Sequence, residues 1–128
     1  MTLDEHAVPA VADDFMKALE RCDIDAARSM YRDDAKIWHN FDQDYQSVEE
    51  NLKTLQWLHE TLSDVRYEIV RREPIPGGYY QQHVLRGKLA SGESFAMPAC
   101  AIVKIEDGRI ASLDEYLDSR HTRPLQSR

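Results

Sequence analysis

The sequence has few cysteines and no long apolar run, and each shortage excludes a class of protein. Its only two cysteines, Cys22 and Cys100, lie far apart without metal-ligand spacing, so neither a disulfide scaffold nor a zinc knuckle is indicated. A reducing cytoplasm is therefore the expected location. No stretch approaches the roughly 20 apolar residues of a membrane span, and the N-terminus lacks a basic region followed by an apolar run. No association with a membrane is expected.

The chain also has fewer basic than acidic side chains. The chain has 16 lysines and arginines against 23 aspartates and glutamates, which gives a formal net charge of -7. Contacts to phosphate groups need clustered Lys and Arg, so nucleic acid is not an expected partner. The 128 residues contain no internal repeat and match one domain, whose folding hides roughly two-thirds of the surface of the unfolded chain.

The first half of the chain has apolar residues at helical spacing, three and four positions apart. The first predicted helix begins near Val8 and has its apolar stripe at Val8, Val11, Phe15, Leu19 and Cys22. Asp23 is the expected N-cap of a short second helix. Ser47 and Glu50 form a capping box for a third helix, whose stripe is Val48, Leu52, Leu55, His59 and Leu62.

Elsewhere the side chains alternate with the period of two that is typical of strands. Residues 35–40 form the first predicted strand, and a meander of four more strands begins at Val65. Their order predicts an α+β fold in which a curved, mostly antiparallel sheet wraps three N-terminal helices. This single domain covers residues 1–118. Residues 119–128 carry three Arg and one His with few apolar side chains, which predicts a flexible tail.

The order of elements resembles that of the nuclear-transport-factor-2-like (NTF2-like) superfamily, and in particular of its SnoaL-like and ketosteroid isomerase-like branch. The most specific stretches are DFMKALERCDIDAARSMYRDDAKIWHN at 14–40 and EDGRIASLDEYLDSR at 106–120, and the resemblance covers nearly the whole chain. It implies a cone-shaped α+β barrel with a hydrophobic pocket between the concave sheet face and the helices. It also implies a homodimer, which agrees with the outward positions predicted for Trp57 and Tyr80.

Two patterns of functional residues from this superfamily carry over in part. On the ketosteroid isomerase pattern, the donating tyrosine falls on Phe15, the proton-shuttling carboxylate at or beside His39, and the oxyanion-hole acid near Ala101. The first and last positions therefore lack the chemistry of that mechanism.

On the epoxide hydrolase pattern, the water-binding tyrosine and asparagine fall on Trp38 and Asn40, and the last acid falls on Glu115. The arginine falls on His83 and the first aspartate on Leu85. SnoaL-like cyclases, whose sets of polar residues are looser, resemble the chain best.

Glu115 is the strongest candidate for a catalytic residue. It shares one face of the last predicted strand with Leu113 and Leu117. A carboxylate between two leucines loses hydration, which raises its pKa and suits it to proton transfer near neutral pH. The structural alternative is a glutamate at a strand end that bonds a neighbouring Arg or Tyr.

The long strand offers a partner for this carboxylate. His83 shares a face with Gln81, opposite the charged residues of the strand, so we expect it to point inward and to bond Glu115. The alternative is a histidine whose hydrogen bonds are satisfied within the core. Gln81 could orient a polar group of a ligand.

His39 and Asn40 are adjacent in the first strand, so only one of them can face the pocket. Asn40, on the face of Trp38, is the expected ligand contact, with His39 as the catalytic reserve. Further ligand contacts are expected from five residues: Trp38, Tyr45, His59, Phe95 and Met97. No helical pair of histidines and no short ligand spacing is present, so no metal site is predicted.

The sequence thus predicts a small-molecule enzyme of SnoaL-like type, which performs cofactor-independent acid-base chemistry on an apolar, oxygenated metabolite. The reaction would be an isomerisation, a cyclisation or a hydrolysis. Glu115 would move the proton, His83 would share it, and Asn40 would bind an oxygen of the substrate. The alternative is a non-catalytic module of the same fold, which binds a small ligand or assembles as a dimer.

Overall fold

The computed structural model describes residues 7–126, which form helices packed on a six-stranded sheet. The helices are α1 (Val11–Arg21), α2 (Ile24–Met30), α3 (Val48–Thr61) and α4 (Arg123–Gln126), with a 3-10 turn at Ser119–Thr122. The strands are β1 (Tyr31–His39), β2 (Asp44–Gln46), β3 (Ser63–Ile75), β4 (Gly78–Lys88), β5 (Ser94–Glu106) and β6 (Arg109–Leu117). This α+β architecture with a curved sheet confirms the predicted fold class.

The strand order across the sheet is β2-β1-β6-β5-β4-β3. The strands β3 to β6 form the predicted antiparallel meander, and β1 lies parallel to β6 at its end. The first strand in the chain is therefore a direct neighbour of the last, which brings residues 39 and 115 together.

Local sequence signals determine where the helices begin. The Ser47 hydroxyl accepts a hydrogen bond from the Glu50 N–H at 3.2 Å, and the Glu50 carboxylate accepts one from the Ser47 N–H at 3.0 Å. This is the predicted capping box, and it satisfies two N–H groups that a helix start leaves unpaired. Asp23 likewise caps α2 through the Ala26 N–H at 3.2 Å. The sequence also has a capping-box pattern at Thr2 and Glu5, which lies outside the described residues.

The apolar core consists of two clusters, and members of both line a cavity. The first cluster packs α1, α2 and the start of α3 against the sheet, around Phe15, Tyr31, Ile37 and Ile110. The second lies at the other end of α3 and contains Leu58, Leu62, Val65, Leu85, Phe95, Met97 and Leu125.

The C-terminal segment differs from the flexible tail that the sequence predicted. Residues 119–126 form the 3-10 turn and α4, and the Leu125 side chain is only 8% exposed within the second cluster. The buried Leu125 side chain anchors the segment to the core, which the basic composition of the segment does not indicate. Residues 127 and 128 lie outside the described part of the chain. Within residues 7–126, no helix is long and apolar enough to cross a membrane.

Strand β1 begins four residues earlier than the predicted strand. Met30 and Tyr31 continue the helical spacing of α2, but Tyr31 already has an extended backbone with φ -90° and ψ 146°. The short strand β2, which pairs with the end of β1, was not predicted.

Candidate active site

A cavity of about 490 Å³ lies between the helices and the inner face of the sheet. Most of its wall is apolar and includes Phe15, Ile37, Leu55, Leu58, Leu85, Met97, Val103 and Leu113. Besides tyrosines, the polar side chains on the sheet wall of the cavity include His39, Gln81, His83 and Glu115. Apolar walls with a few convergent polar groups are typical of small-molecule sites.

Strand register explains why these polar groups meet. His39 of β1 is the parallel partner of Glu115 on β6, and register partners project their side chains to the same face of a sheet. His83 lies on β4, two strands away from Glu115. The intervening strand β5 presents Ala99 and Ala101, whose small side chains leave room for His83 and Glu115 to meet above them.

Glu115 lies between the two imidazoles. Its Oε1 is 3.3 Å from His39 Nε2, and its Oε2 is 3.6 Å from His83 Nε2. The exposed fractions of the side chains are 20% for Glu115, 12% for His39 and 4% for His83. These values place one carboxylate in contact with two largely buried nitrogen donors.

The pKa of Glu115 moves in the direction opposite to the sequence-based expectation. Burial raises it, but the two adjacent imidazoles outweigh burial and lower the pKa to about 2. The two leucines beside Glu115 in the sequence indicate only its burial, whereas the imidazoles that lower its pKa lie on other strands. Glu115 is therefore ionised at neutral pH.

The pKa of His39 is raised. Burial lowers it, but the carboxylate of Glu115, with a smaller contribution from Asp42, shifts it above its usual range. His39 therefore holds a proton more tightly than an ordinary histidine does, in a position where it faces the cavity.

His83 is tied to a second set of polar groups. The Gln81 side-chain amide lies 2.9 Å from His83 Nδ1, and Gln81 Oε1 accepts hydrogen bonds from Arg72 Nε at 2.8 Å and from Arg72 Nη2 at 2.6 Å. Arg72 also contacts Asp13 at 2.5 Å. Both His83 and Gln81 are buried.

Two predicted ligand contacts, Asn40 and Trp38, do not reach the cavity. The Asn40 carboxamide oxygen accepts a hydrogen bond from the Leu117 N–H at 2.9 Å, which ties the end of β1 to β6. Trp38 packs edge-on against Tyr116 on the opposite face of the sheet, with ring centroids 5.3 Å apart. The parity of β1 is fixed by its pairing with β6, so His39, the reserve choice, faces the cavity.

Three further predicted contacts also lie elsewhere. Tyr45 lies on the edge strand β2 and is 61% exposed. His59 Nε2 bonds the Leu19 carbonyl oxygen at 2.8 Å, and Phe95 is buried in the second apolar cluster. Gln81, His83 and Met97 do line the cavity, as predicted.

Tyr67, on β3, lines the cavity but was not predicted from the sequence. Its ring lies edge-on to His83 at 5.6 Å between centroids. Burial and the charge of Glu115 raise its pKa, so the phenol stays protonated and can donate a hydrogen bond. The signal was present, because the alternation from Val65 already placed Tyr67 on the apolar face of its strand.

The opening of the cavity contains aromatic residues and the C-terminal segment. Phe41 and Trp57 both line the cavity while being 51% and 42% exposed. The C-terminal residues that line it are Ser119, Thr122, Arg123, Leu125 and Gln126. Trp57, expected to face a loop or another subunit, thus contributes to the wall. Among residues 7–126 no group of three or more His, Cys, Asp or Glu side chains is arranged to hold a metal ion.

The family profile of the SnoaL-like domain matches residues 12–113 of this sequence. The matched range contains His39, Tyr67, Gln81 and His83 and ends two residues before Glu115. No protein of curated function matches the sequence significantly.

Several solved structures have the same fold. A candidate polyketide cyclase from Streptomyces antibioticus, IdmH, superposes with a TM-score of 0.79 at 16% identity, over 90% of this chain and 94% of that one. A candidate SnoaL-like polyketide cyclase from Shewanella denitrificans gives 0.73 at 18% identity, over 92% and 96%. An LEH-like epoxide hydrolase from M. tuberculosis gives 0.71 at 16% identity, over 90% and 86%. At these identities the similarity concerns the fold.

Proposed function

Because the chain belongs to the SnoaL-like domain family, we propose that its cavity is the active site of a small-molecule enzyme. The enzyme transfers a proton, without a bound cofactor, on an apolar and oxygenated metabolite. The observation that carries this proposal is the ionised Glu115 beside two imidazoles in a cavity whose wall is otherwise largely apolar. Titratable groups with perturbed pKa values inside a cavity are typical of catalytic sites.

His39 is the proton carrier in this proposal. Its Nε2 faces Glu115, and an ionised carboxylate only accepts hydrogen bonds, so Nε2 carries the hydrogen and the neutral ring has its lone pair on Nδ1. His39 Nδ1 makes no hydrogen bond to the described part of the chain, so it is available to a ligand. The carboxylate stabilises the imidazolium that forms when Nδ1 takes a proton, which is the arrangement of many catalytic histidines.

This assignment changes the task of Glu115. A carboxylate with a pKa of about 2 is a weak proton acceptor, whereas the best catalytic groups titrate near the working pH. Glu115 therefore orients His39 and compensates its charge, and it does not move the proton itself.

The reaction that fits this geometry is proton abstraction next to a carbonyl group. His39 Nδ1 takes the proton, the electron pair of the broken C–H bond forms an enolate, and the Tyr67 hydroxyl donates a hydrogen bond to the enolate oxygen. The imidazolium then either returns the proton to a different carbon of a conjugated enolate, or the enolate carbon attacks a carbonyl carbon of the same molecule, whose oxygen takes the proton from the imidazolium. The first route is an isomerisation and the second a cyclisation. With water as the proton donor to Nδ1, the same pair would support hydrolysis.

Three classes of compound test the proposal: enolisable ketones, polyketide-like β-keto esters and epoxides. Once one is turned over, His39→Gln and Glu115→Gln are each expected to lower kcat/KM by roughly 10²- to 10⁴-fold. His59→Gln is the matched control, because His59 does not line the cavity and bonds a backbone carbonyl, to which a glutamine amide can still donate. If His39→Gln keeps wild-type turnover, the assignment is wrong.

A second outcome separates catalysis from binding. Compounds that stabilise the wild-type protein against heat but are recovered unchanged would favour the non-catalytic binding module of the same fold.

The homodimer and the cytoplasmic location stay predictions from the sequence. Support for a dimer comes from the sheet face opposite the cavity, where Trp38 packs on a half-exposed Tyr116.

A further inference from the structure

We propose that Arg72 and Gln81 are positioning residues that hold His83 in one tautomer, with its Nε2–H directed at Glu115. This proposal depends on the function proposed above only for the catalytic role of the site around Glu115. The tautomer itself is a property of the protein without substrate.

Arg72 determines the orientation of the Gln81 amide. A guanidinium group only donates hydrogen bonds, and two of its nitrogens, Nε and Nη2, lie 2.8 Å and 2.6 Å from the same oxygen of Gln81. The reversed amide would place an NH₂ group against two N–H donors. The Gln81 oxygen therefore faces Arg72, and its NH₂ group faces His83.

The Arg72 guanidinium is itself held from three sides. Nη1 bonds the Asp13 carboxylate at 2.5 Å, Nη2 also approaches the Ala12 carbonyl oxygen at 3.4 Å, and the group lies over the Tyr79 ring at 5.7 Å. Its side chain is 12% exposed. Helix α1 thus fixes the cation that orients Gln81.

Gln81 in turn determines which nitrogen of His83 carries the hydrogen. The Gln81 NH₂ group lies 2.9 Å from His83 Nδ1, so Nδ1 must accept and cannot carry a hydrogen of its own. The ring hydrogen is then on Nε2, which lies 3.6 Å from Glu115. His83 presents a fixed donor to the carboxylate.

The two imidazoles beside Glu115 therefore have different tasks. The second nitrogen of His83 accepts from Gln81, whereas His39, which lines the cavity, makes no hydrogen bond through Nδ1 to the described residues. The fixed donor of His83 keeps the Glu115 carboxylate ionised and oriented. His39 is then the partner that exchanges protons. Gln81, expected from the sequence to contact a ligand, is on this view a residue that acts through His83.

Nitrogen NMR of the histidine-labelled protein tests the tautomer directly, at a pH where the imidazoles are neutral. The expected result for wild-type His83 is a pyridine-type signal for Nδ1 and a pyrrole-type signal for Nε2. A protonated Nδ1, or an equal mixture of tautomers, would overturn the proposal without any variant being made.

Isosteric Gln81→Glu gives the sharper test. A carboxylate at this position can only accept, so it should move a hydrogen to His83 Nδ1 and convert the Nδ1 signal to the pyrrole type. Gln82→Glu is the matched control, because it adds the same charge to the next residue, which is exposed. Its His83 signals should match those of the wild type. An unchanged His83 in a folded Gln81→Glu protein would overturn the proposal.

Substitution of Arg72 is an independent test, because it leaves the Gln81 and His83 side chains unchanged. Arg72→Met should free the amide to rotate and give a mixture of His83 tautomers, and Arg72→Lys should restore the single tautomer by donating to the Gln81 oxygen. If Arg72→Met leaves one tautomer, Arg72 has no positioning role and that part of the proposal fails. Because these signals are read without substrate, an absence of turnover would count against the proposed function and not against this inference.

Discussion

Two histidines within 3.6 Å of one carboxylate would be hard to distinguish by residue type alone. What separates His39 from His83 is the environment of the second ring nitrogen of each. Tyr67 adds a protonated hydroxyl to the same wall. The superfamily pattern instead places its donating tyrosine at the position of Phe15, on α1. In the proposed function, the donor therefore comes from β3 and not from α1.

The His39–Glu115 pair should make the free energy of unfolding depend on pH. The folded-state pKa of Glu115 is lowered to about 2 from a usual 4.5, so its contribution is present above pH 4.5 and is lost as the pH falls towards 2. The pKa of His39 is raised above a usual 6.5, so its contribution is complete below pH 6.5 and is lost as the pH rises through the folded-state value.

Urea unfolding of the wild type and of His39→Gln, from acidic to mildly alkaline pH, measures this contribution. The stability difference between the two proteins should be largest between pH 4.5 and 6.5 and should shrink at higher pH. A difference that grows steadily with pH would contradict the pairing.

Among the elements, the parallel pair β1–β6 contributes most to the site. It sets His39 opposite Glu115, and the Asn40 side chain extends the pairing by one hydrogen bond past the end of β1. The short C-terminal helix α4 closes the second apolar cluster through Leu125, and it lies along the cavity wall.

Leu125→Ala should loosen α4 and open the cavity at that end. Removing this buried side chain is expected to lower the free energy of unfolding by roughly 2 kcal/mol, near the low end for a buried leucine because a terminal helix can relax. Trypsin should then cut faster after Arg120, whereas the Arg123–Pro124 bond resists trypsin in both proteins. The control is Gln126→Ala, an exchange at an exposed position of α4 that leaves Leu125, Asp118 and Arg120 in place. Equal cleavage rates for Leu125→Ala and the wild type would show that α4 is held by other contacts.

For the whole molecule, the two faces of the sheet carry different side chains. Its inner face carries the cavity, and its outer face carries Trp38 and the 44% exposed Tyr116. An aromatic pair on an open sheet face is a common centre of a subunit interface, since such residues bury large apolar area.

Light scattering should therefore find a dimer at micromolar concentration, and Tyr116→Arg should shift it towards monomer. Gln56→Arg adds the same charge at an exposed position on α3, on the helical side of the molecule, and should leave the dimer intact. A wild-type monomer at this concentration would refute the predicted interface.

Sequence by itself determined the α+β class, the family and most of the elements. The signals were local: the Ser47–Glu50 capping box, the spacing of three and four in α1 and α3, and the alternation of the meander. They also placed Glu115, His83 and Gln81 on inward faces, because parity within a long strand is set by its own apolar residues. Helices and strands are recognised from neighbouring residues in the chain, so this part needed no tertiary information.

Tertiary structure decided what those side chains do. The run at 35–40 is too short for its own parity to choose between His39 and Asn40, and pairing with β6 made the choice. The lowered pKa of Glu115 comes from imidazoles on β1 and β4, and the orientation of Gln81 comes from Arg72 on β3 with Asp13 on α1. Electric fields and hydrogen bonds act through space over a few ångströms, between residues that lie as many as 76 positions apart in the chain, as His39 and Glu115 do.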